Sequence, residues 1–271
     1  MKPTLKTRLA TLLLAGLWAA SAWSYNPLNR EEYLARIKQA EALYKDKCEK
    51  VAGIKIYKTV PDVEGVLLMK IRPDRTDREL ADPNWPGAAF GREFYGDSYI
   101  RSFLGYEYPA QGPIDALHRG YINTDKRPGG LPGYRWVEIP DPKDGQRYRY
   151  SARYDEPWQT DKNYLKGYIR FNLDKTPSPS KTPPRYAVTF EDHVIPEERA
   201  LWVASSTVKV LDLKTDEVLG EMTRYAISYI HAPRQSMPWL RHSICPEVNA
   251  TGDAQSTRIF VDQILIPKRE K

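Results

Sequence analysis

Histidines are the residues best suited to acid–base or metal chemistry in this 271-residue chain, and there are only four. None stands in an HxH, HxxxH or HExxH pattern, the spacings that place two imidazoles on one metal ion. The sequence therefore predicts no metal site, and each histidine is expected to make an ordinary surface contact or hydrogen bond. The four are His118, His193, His231 and His242.

Ser98 is the one serine whose surroundings suggest a nucleophile. Gly96-Asp97-Ser98-Tyr99 resembles the opening of the GDSL hydrolase block. In that family the serine lies near the mature N-terminus and an Asp-x-x-His element closes the chain, whereas here the block is central and Asp192 is followed directly by His193. A Gly-Asp-Ser turn is therefore the preferred interpretation, and no GxSxG nucleophile elbow is present.

Carboxylates and glycine-rich runs give weaker signals. Paired carboxylates for glycoside hydrolysis have no spacing signature, so Glu107, Asp115 and Glu138 are candidates that the sequence leaves open. Residues 128–133 are rich in glycine but include two prolines, which block the helix start that a phosphate-binding loop needs. We expect no nucleotide, no other cofactor and no enzymatic activity.

The first 22 residues have the layout of a secretory signal peptide. A basic start precedes an apolar run over residues 9–20 and the small-x-small triplet Ala20-Ser21-Ala22. We expect cleavage before Trp23 and a mature protein in the periplasm. The apolar run is shorter than the roughly 20 residues of a membrane span, which favours a cleaved signal peptide over an anchor. No stable membrane insertion is expected after cleavage. An uncleaved anchor is the alternative.

The charge balance changes once this segment is removed. The full chain has 41 Lys plus Arg against 35 Asp plus Glu, a net charge of +6. The signal peptide contains three basic residues and no acidic ones, so the mature chain is close to +3. A nearly balanced exported protein is a poor candidate for binding nucleic acid. Its composition, 41% hydrophobic and 28% charged, excludes a multi-spanning membrane protein and a fully disordered chain.

Export also determines how the two cysteines are interpreted. Cys48 and Cys245 are the only cysteines, and an even number in an oxidising compartment favours a disulfide between them. Two buried free thiols are the alternative. Apart from His242, neither cysteine has a second Cys or His at the spacing of a zinc site.

Hydrophobic periodicity predicts an α+β fold, a mainly antiparallel β-sheet with an N-terminal helix and a short C-terminal helix. The first helix is expected to begin at the capping residue Asn29, to carry Cys48 on its apolar face and to end at Gly53. The pattern of residues 256–265 is ambiguous but favours a short closing helix. No linker marks a domain boundary, so residues 23–271 are expected to form a single globular domain.

Strand-like runs fill most of the remaining chain. Residues 54–60 and 66–72 predict a β-hairpin, because the residues between them include Pro and Gly where a turn needs them. A long ordered loop region is expected at about 73–133, with a short strand at 99–104. Further strands are predicted at 134–139, 147–154, 165–173, 185–191, 201–212 and 217–230.

Arginines and tyrosines alternate along residues 147–154, so a strand would present a cationic face and an aromatic face on opposite sides. Trp, Tyr and Arg are the residue types most enriched at binding hot spots. We predict a binding surface here, for an acidic protein, a glycan or an anionic lipid head group. The alternative is that the tyrosines pack on the core and the arginines keep a sheet face soluble. The predicted members are Tyr134, Trp136, Arg147, Tyr148, Arg149, Tyr150, Arg153, Tyr154 and Trp158.

Three short segments follow the helix that bears Cys48: Gly-Ile-Lys-Ile-Tyr-Lys-Thr-Val at 53–60, Val-Glu-Gly-Val at 63–66 and Ser-Tyr-Ile-Arg-Ser-Phe-Leu at 98–104. In these segments the chain resembles small exported proteobacterial proteins that accompany type VI secretion lipase effectors. The resemblance covers mainly residues 30–110, with Cys245-Pro246 as further support. The motifs are structural rather than catalytic, and they assign no residue that contacts a toxin.

The resemblance implies a periplasmic immunity protein, an antitoxin that acts as a lipase inhibitor. Its partner would be the cognate lipase or phospholipase effector, which it binds and holds inactive. Two other functions remain open. One is an envelope hydrolase acting on glycan or lipid, and the other is a structural envelope protein without a toxin partner.

Overall fold

The computed structural model describes residues 30–108, 120–228, 237–248 and 252–269. The expected signal peptide, the capping residue Asn29, Asp115, His118 and His231 lie outside these ranges. The chain divides into two compact units, Met1–Arg36 and Ile37–Lys271. Of the first unit only residues 30–36, the start of a helix, are described. All contacts reported below lie within the second unit.

The helices and strands have the following bounds. The helices are α1 Arg30–Lys50, α2 Asp77–Ala81, α3 Gly96–Leu104, α4 Pro196–Ala200 and α5 Ser256–Asp262, with 3₁₀ turns at Pro86–Phe90, Pro157–Gln159 and Pro238–Leu240. The strands are β1 Gly53–Ile56, β2 Val60–Val63, β3 Gly65–Leu68, β4 Tyr106–Tyr108, β5 Tyr121–Asn123, β6 Trp136–Pro140, β7 Arg147–Asp155, β8 Arg170–Pro177, β9 Tyr186–His193, β10 Val203–Asp212, β11 Glu217–Ser228, β12 His242–Cys245 and β13 Leu265–Pro267.

One nine-stranded sheet organises the described chain, in the order β1-β11-β10-β9-β3-β6-β7-β8 with β12 also paired to β11. Strand β3 runs parallel to both β6 and β9, and the other pairs in this sheet are antiparallel. Two small sheets pair β13 with β2 and β4 with β5. The predicted α+β fold, mainly antiparallel with an N-terminal and a short C-terminal helix, is confirmed.

The hairpin predicted from residues 54–60 and 66–72 is wrong. Strand β1 pairs with β11, β2 includes part of the expected turn and pairs with β13, and β3 lies between β6 and β9. All four residues of β3 are buried. A strand that is buried on both faces belongs to the interior of a sheet with parallel neighbours rather than to a local hairpin.

The strand predicted at 99–104 is also wrong, because these residues belong to helix α3. Its buried apolar residues are Tyr99, Ile100, Phe103 and Leu104. That spacing follows one face of a helix with 3.6 residues per turn. The Gly-Asp-Ser turn is likewise wrong, because Gly96, Asp97 and Ser98 are the first turn of α3.

Other local predictions agree with the structure. The runs at 134–139 and 147–154 form the hairpin β6–β7, and those at 201–212 and 217–230 form β10–β11 as far as Ser228, where this described range ends. The C-terminal helix is α5, although it stops at Asp262 and a short strand, β13, follows it. The strand predicted at 165–173 begins only at Arg170.

The main hydrophobic core lies against one face of the large sheet, here called the core face. Val137, Val188 and Met222 point from the sheet into this core. Phe90 of a 3₁₀ turn, Phe103 of α3 and Phe260 of α5 pack against them. The opposite face is called the outer face.

The part of helix α1 that belongs to the second unit packs on the outer face. Ala40, which is buried, packs in a small cluster with Val203, Tyr225 and Ile227. The disulfide predicted between Cys48 and Cys245 is confirmed, with 5.7 Å between the two Cα atoms, and it joins α1 to β12.

Within the described ranges, no helix combines the length and the apolar character of a membrane span.

We predict that replacing Cys48 and Cys245 by serine lowers the free energy of unfolding by up to about 5 kcal/mol, because the bridge closes a loop of nearly 200 residues in the unfolded chain. Urea unfolding at neutral pH measures the loss. The wild type under reducing conditions is the matched control and should lose as much. A double variant as stable as the oxidised wild type would contradict the prediction.

Candidate functional site

The nine residues predicted to form a binding surface do not form one continuous surface. Along β7, Tyr150 lies opposite the fully buried Val137 of β6 and faces the core, as do the other tyrosines of this strand at alternate positions. Arg149 lies opposite Glu138, on the outer face. The predicted separation of a cationic face and an aromatic face is therefore confirmed. Because the arginines and the tyrosines lie on opposite sides of the sheet, they cannot form one surface.

Tyr134 is not a surface residue, so its predicted membership is wrong. The side chain is 2% exposed. Its ring packs on Phe103 of α3 with 6.1 Å between centroids, and its hydroxyl donates a 2.6 Å hydrogen bond to the carbonyl of Leu265. Tyr134 therefore belongs to the core, where it contacts α3 and β13.

Two of the arginines, Arg147 and Arg149, form ion pairs with the carboxylate of Glu138, which is only 1% exposed. Arg147 Nε donates to Glu138 Oε2 (2.6 Å), and Arg149 Nη2 donates to Oε1 (2.8 Å). Ser178 Oγ also donates to Oε2 (2.9 Å). Arg149 Nε donates a fourth hydrogen bond, to Oε1 (3.1 Å), so the Glu138 carboxylate is fully engaged within the protein. Charge-assisted hydrogen bonds of this kind fix the arginines in place rather than leaving them free for an anion.

The remaining outer-face members also have intramolecular partners. The guanidinium of Arg149 stacks on Trp136 at 4.0 Å from the ring centroid. Arg153 Nε donates to Asp174 Oδ2 (2.9 Å). Opposite charges therefore compensate one another along this edge of the outer face.

The tyrosines on the other side of β7 contact β8. The ammonium of Lys175 lies 4.1 Å from the centroid of the Tyr148 ring, and Tyr154 packs edge-on against Phe171 at 5.6 Å. Tyr150 is partly buried against the core. These contacts favour the structural role for the tyrosines that the sequence left open. A binding role for the outer-face members stays a prediction.

Among the residues that the structure describes, the large apolar side chain with the highest exposed fraction lies in the connection between β7 and β8. We call residues 156–169 the ribbon loop. Its base is closed by Asp155, which accepts hydrogen bonds from Arg170 Nε (3.0 Å), Arg170 Nη2 (2.6 Å) and Asn172 Nδ2 (3.0 Å). The hydrogen bond from Arg170 lowers the pKa of Asp155. Among the described residues β8 pairs only with β7, so the ribbon loop extends from the edge of the sheet.

The ribbon loop exposes three large apolar side chains. Leu165 is 85% exposed, Tyr168 44% and Tyr164 37%. The two tyrosine rings stack nearly parallel, 5.5 Å apart. Residues 161–168 are all exposed. Trp158, a predicted member of the binding surface, lies partly buried in the 3₁₀ turn that begins this loop.

Sequence reasoning missed this feature because it placed Leu165 at the start of a strand. Leu165, Phe171 and Leu173 are an even number of positions apart, so they fit the alternation of a strand that places all three on one face. Gly167 has φ +84°, a left-handed conformation that a continuing strand does not allow. That glycine between two tyrosines is the signal that predicts a loop.

The catalytic candidates do not come together. Ser98 is exposed and lines a cavity of about 330 Å³. Among the described residues that line this cavity there is no histidine and no carboxylate to act as a base. Glu107 is buried in β4, and His193 Nε2 hydrogen-bonds to Thr207 (3.1 Å). Within the described ranges, no cluster of His, Cys, Asp and Glu is arranged to hold a metal ion.

A buried charge network lies on the core face, among the apolar side chains of the main core. Arg72, 3% exposed, lies between the rings of Phe90 (4.2 Å) and Phe190 (3.7 Å). Its Nη1 donates to Asp192 Oδ1 (2.7 Å) and its Nη2 to Ser206 Oγ (3.3 Å). This pair forms part of the wall of a second cavity, of about 190 Å³.

Two buried groups near this network, Glu93 and His242, have strongly shifted pKa values. Burial raises the pKa of Glu93 to about 8, although the positive charges of Arg224 and Arg72 oppose the shift. Burial lowers the pKa of His242 to about 4, and the charge of Arg92 adds to the effect. Glu93 accepts a hydrogen bond from the amide of Thr257 (3.3 Å), and His242 Nδ1 hydrogen-bonds to the carbonyl of Trp239 (2.5 Å). These contacts give both groups a structural role.

Comparisons with known proteins found no match: no family model fits the chain, and no curated protein or solved structure is significantly similar to it.

We predict that Glu138→Ala lowers the free energy of unfolding by about 3 kcal/mol, because it leaves Arg147 and Arg149 without their shared acceptor. Urea unfolding at pH 7 measures the change. Glu191→Ala removes an exposed carboxylate from the same face and should change stability by less than about 0.5 kcal/mol. Equal effects for the two variants would contradict the role assigned to Glu138.

Glu93 and His242 make stability depend on pH with opposite signs. Between pH 4.5 and 8 the folded state holds the Glu93 proton that the unfolded state has released, so stability falls as pH rises. Between pH 4 and 6.5 the unfolded state holds the His242 proton, so stability rises with pH. The two slopes offset each other up to pH 6.5, above which only that of Glu93 remains.

We therefore predict that the free energy of unfolding falls between pH 6.5 and 8, by at most about 1.4 kcal/mol per pH unit. Glu93→Gln, which cannot release a proton, should remove this slope. Urea unfolding at half-unit pH intervals measures both profiles. The assignment fails if the wild type is flat over this range or if the glutamine variant keeps the slope.

Proposed function

We propose that this protein is a periplasmic immunity protein that binds and neutralises a cognate lipase or phospholipase toxin of a type VI secretion system. The observation that carries the proposal is the ribbon loop, which presents Tyr164, Leu165 and Tyr168 to solvent. Exposed apolar side chains that cluster on a folded scaffold are typical of protein-binding sites. Tyrosine is also enriched at such interfaces.

The base of the loop supports recognition of a partner. Asp155 and Arg170 hold the ends of β7 and β8 together by two hydrogen bonds. A loop fixed at its base loses less conformational entropy when it binds, which favours tight association.

The disulfide supports the proposed compartment. Cys48 and Cys245 are bonded to each other, and structural disulfides persist in oxidising environments such as the periplasm. The signal-peptide pattern of the first 22 residues and the resemblance in residues 30–110 point the same way.

Co-expression with a lipase effector tests the proposal. The effector, taken from the same genome and directed to the periplasm, should stop growth alone, and this protein should restore growth. A tagged copy should co-purify with the effector in a fixed ratio, and the purified complex should have lost lipase activity. The proposal fails if no lipase effector of that genome binds this protein or is neutralised by it.

A further inference from the structure

We propose that the ribbon loop occupies the acyl-chain cleft of the lipase, so that this protein inhibits by competing with substrate. The inference rests on the proposed function and adds to it the surface that makes contact and the mode of inhibition.

The shape of the ribbon loop favours a concave partner. Residues 161–168 are exposed without interruption, so the end of the loop is convex. A convex group buries much of its surface only against a concave partner. A second copy of the same loop would meet it convex against convex and cover far less area than the roughly 800 Å² per partner of a stable complex.

The side chains of the ribbon loop match the chemistry of a lipase cleft. A lipase must hold a hydrocarbon chain next to its nucleophile, so its substrate site is an apolar cleft. Leu165 is a branched alkyl group that is 85% exposed at the end of the loop. Tyr164 and Tyr168 beside it each combine an apolar ring with a polar hydroxyl, which suits the mouth of such a cleft, where the environment changes from apolar to aqueous.

Hydrogen bonds within the ribbon loop preorganise it for binding. The amide of Asp161 donates to the carbonyl of Pro157 (2.9 Å), that of Tyr164 to Asp161 (3.2 Å) and that of Tyr168 to Leu165 (3.0 Å). The amide of Asn163 also donates to Asp161 Oδ1 (2.9 Å). These turns hold Leu165 outward before any partner arrives, so little ordering remains to be done on binding.

The charge of the loop argues against a lipid surface as the partner. The loop contains two acidic residues, Glu156 and Asp161, and two basic residues, Lys162 and Lys166, so its charge is balanced. A segment that binds anionic membranes carries an excess of Lys and Arg. A protein cleft needs no such excess.

The decisive variant is Leu165→Asp, with Val194→Asp as its matched control. Both residues are exposed apolar side chains, and Val194 lies outside the ribbon loop, between β9 and α4. The partner is the lipase effector of the same genome with its nucleophile replaced for binding, and the active enzyme with a soluble short-chain ester for kinetics. Circular dichroism and thermal melting establish that both variants fold like the wild type.

We expect wild-type protein and V194D to bind equally, and L165D to raise Kd at least about 30-fold, as for a central hot-spot residue. The wild type should raise the apparent KM for the ester and leave kcat unchanged. The inference is overturned if the wild type binds the lipase but L165D binds as tightly, or if inhibition lowers kcat at constant KM.

Two further measurements test other binding partners of the ribbon loop. Binding of the wild type to vesicles of phosphatidylethanolamine and phosphatidylglycerol, lost in L165D, would overturn the inference in favour of a membrane. Self-association of the wild type, lost in L165D, would do so in favour of a second copy. If the wild type does not bind the lipase at all, the proposed function itself fails.

Discussion

The alternation of side chains along β7 is the constraint on which this edge of the molecule depends. Tyr150 must face the core because it lies opposite the buried Val137. Arg147 and Arg149 must then face outward, where the carboxylate of Glu138 accepts their hydrogen bonds. Both kinds of side chain are thereby engaged within the protein, and large apolar groups reach solvent in the connection between β7 and β8.

The interior supports this edge with charged as well as apolar contacts. Arg72 lies between the rings of Phe90 and Phe190 and pairs with Asp192. Buried charges destabilise a fold unless they are paired, so the elements that supply the partners must dock in one arrangement. The disulfide adds a covalent link between α1 and β12 at the other end of the sheet. The ribbon loop therefore extends from a scaffold whose parts are fixed to one another.

Local patterns predicted what local interactions determine. The hairpins β6–β7 and β10–β11 and the disulfide could be read from the sequence because alternation, turn residues and cysteine count specify them. Strand β3 could not, because it pairs in parallel with β6 and β9, whose residues lie about 70 and 120 positions further along the chain. Helix α3 was missed because Tyr99, Ile100 and Phe103 have high strand propensity, and tertiary packing overrides that preference.

The candidate site shows the same limit. The alternating pattern predicts that arginines and tyrosines separate onto two faces. It does not predict that Arg147 and Arg149 donate hydrogen bonds to Glu138. That outcome depends on one residue of a neighbouring strand. Tyr134 was placed on the surface although it completes the core beside Phe103. The alternating pattern predicts a strand from Leu165 onward, but the left-handed Gly167 interrupts it and β8 begins only at Arg170.

Hydrogen–deuterium exchange of the protein alone and in complex with the lipase locates the contact surface. The account predicts that amide protection on binding is concentrated in residues 156–169 and that β10 and β11 exchange at unchanged rates. Protection confined to other segments, with residues 156–169 exchanging as in the free protein, would contradict it.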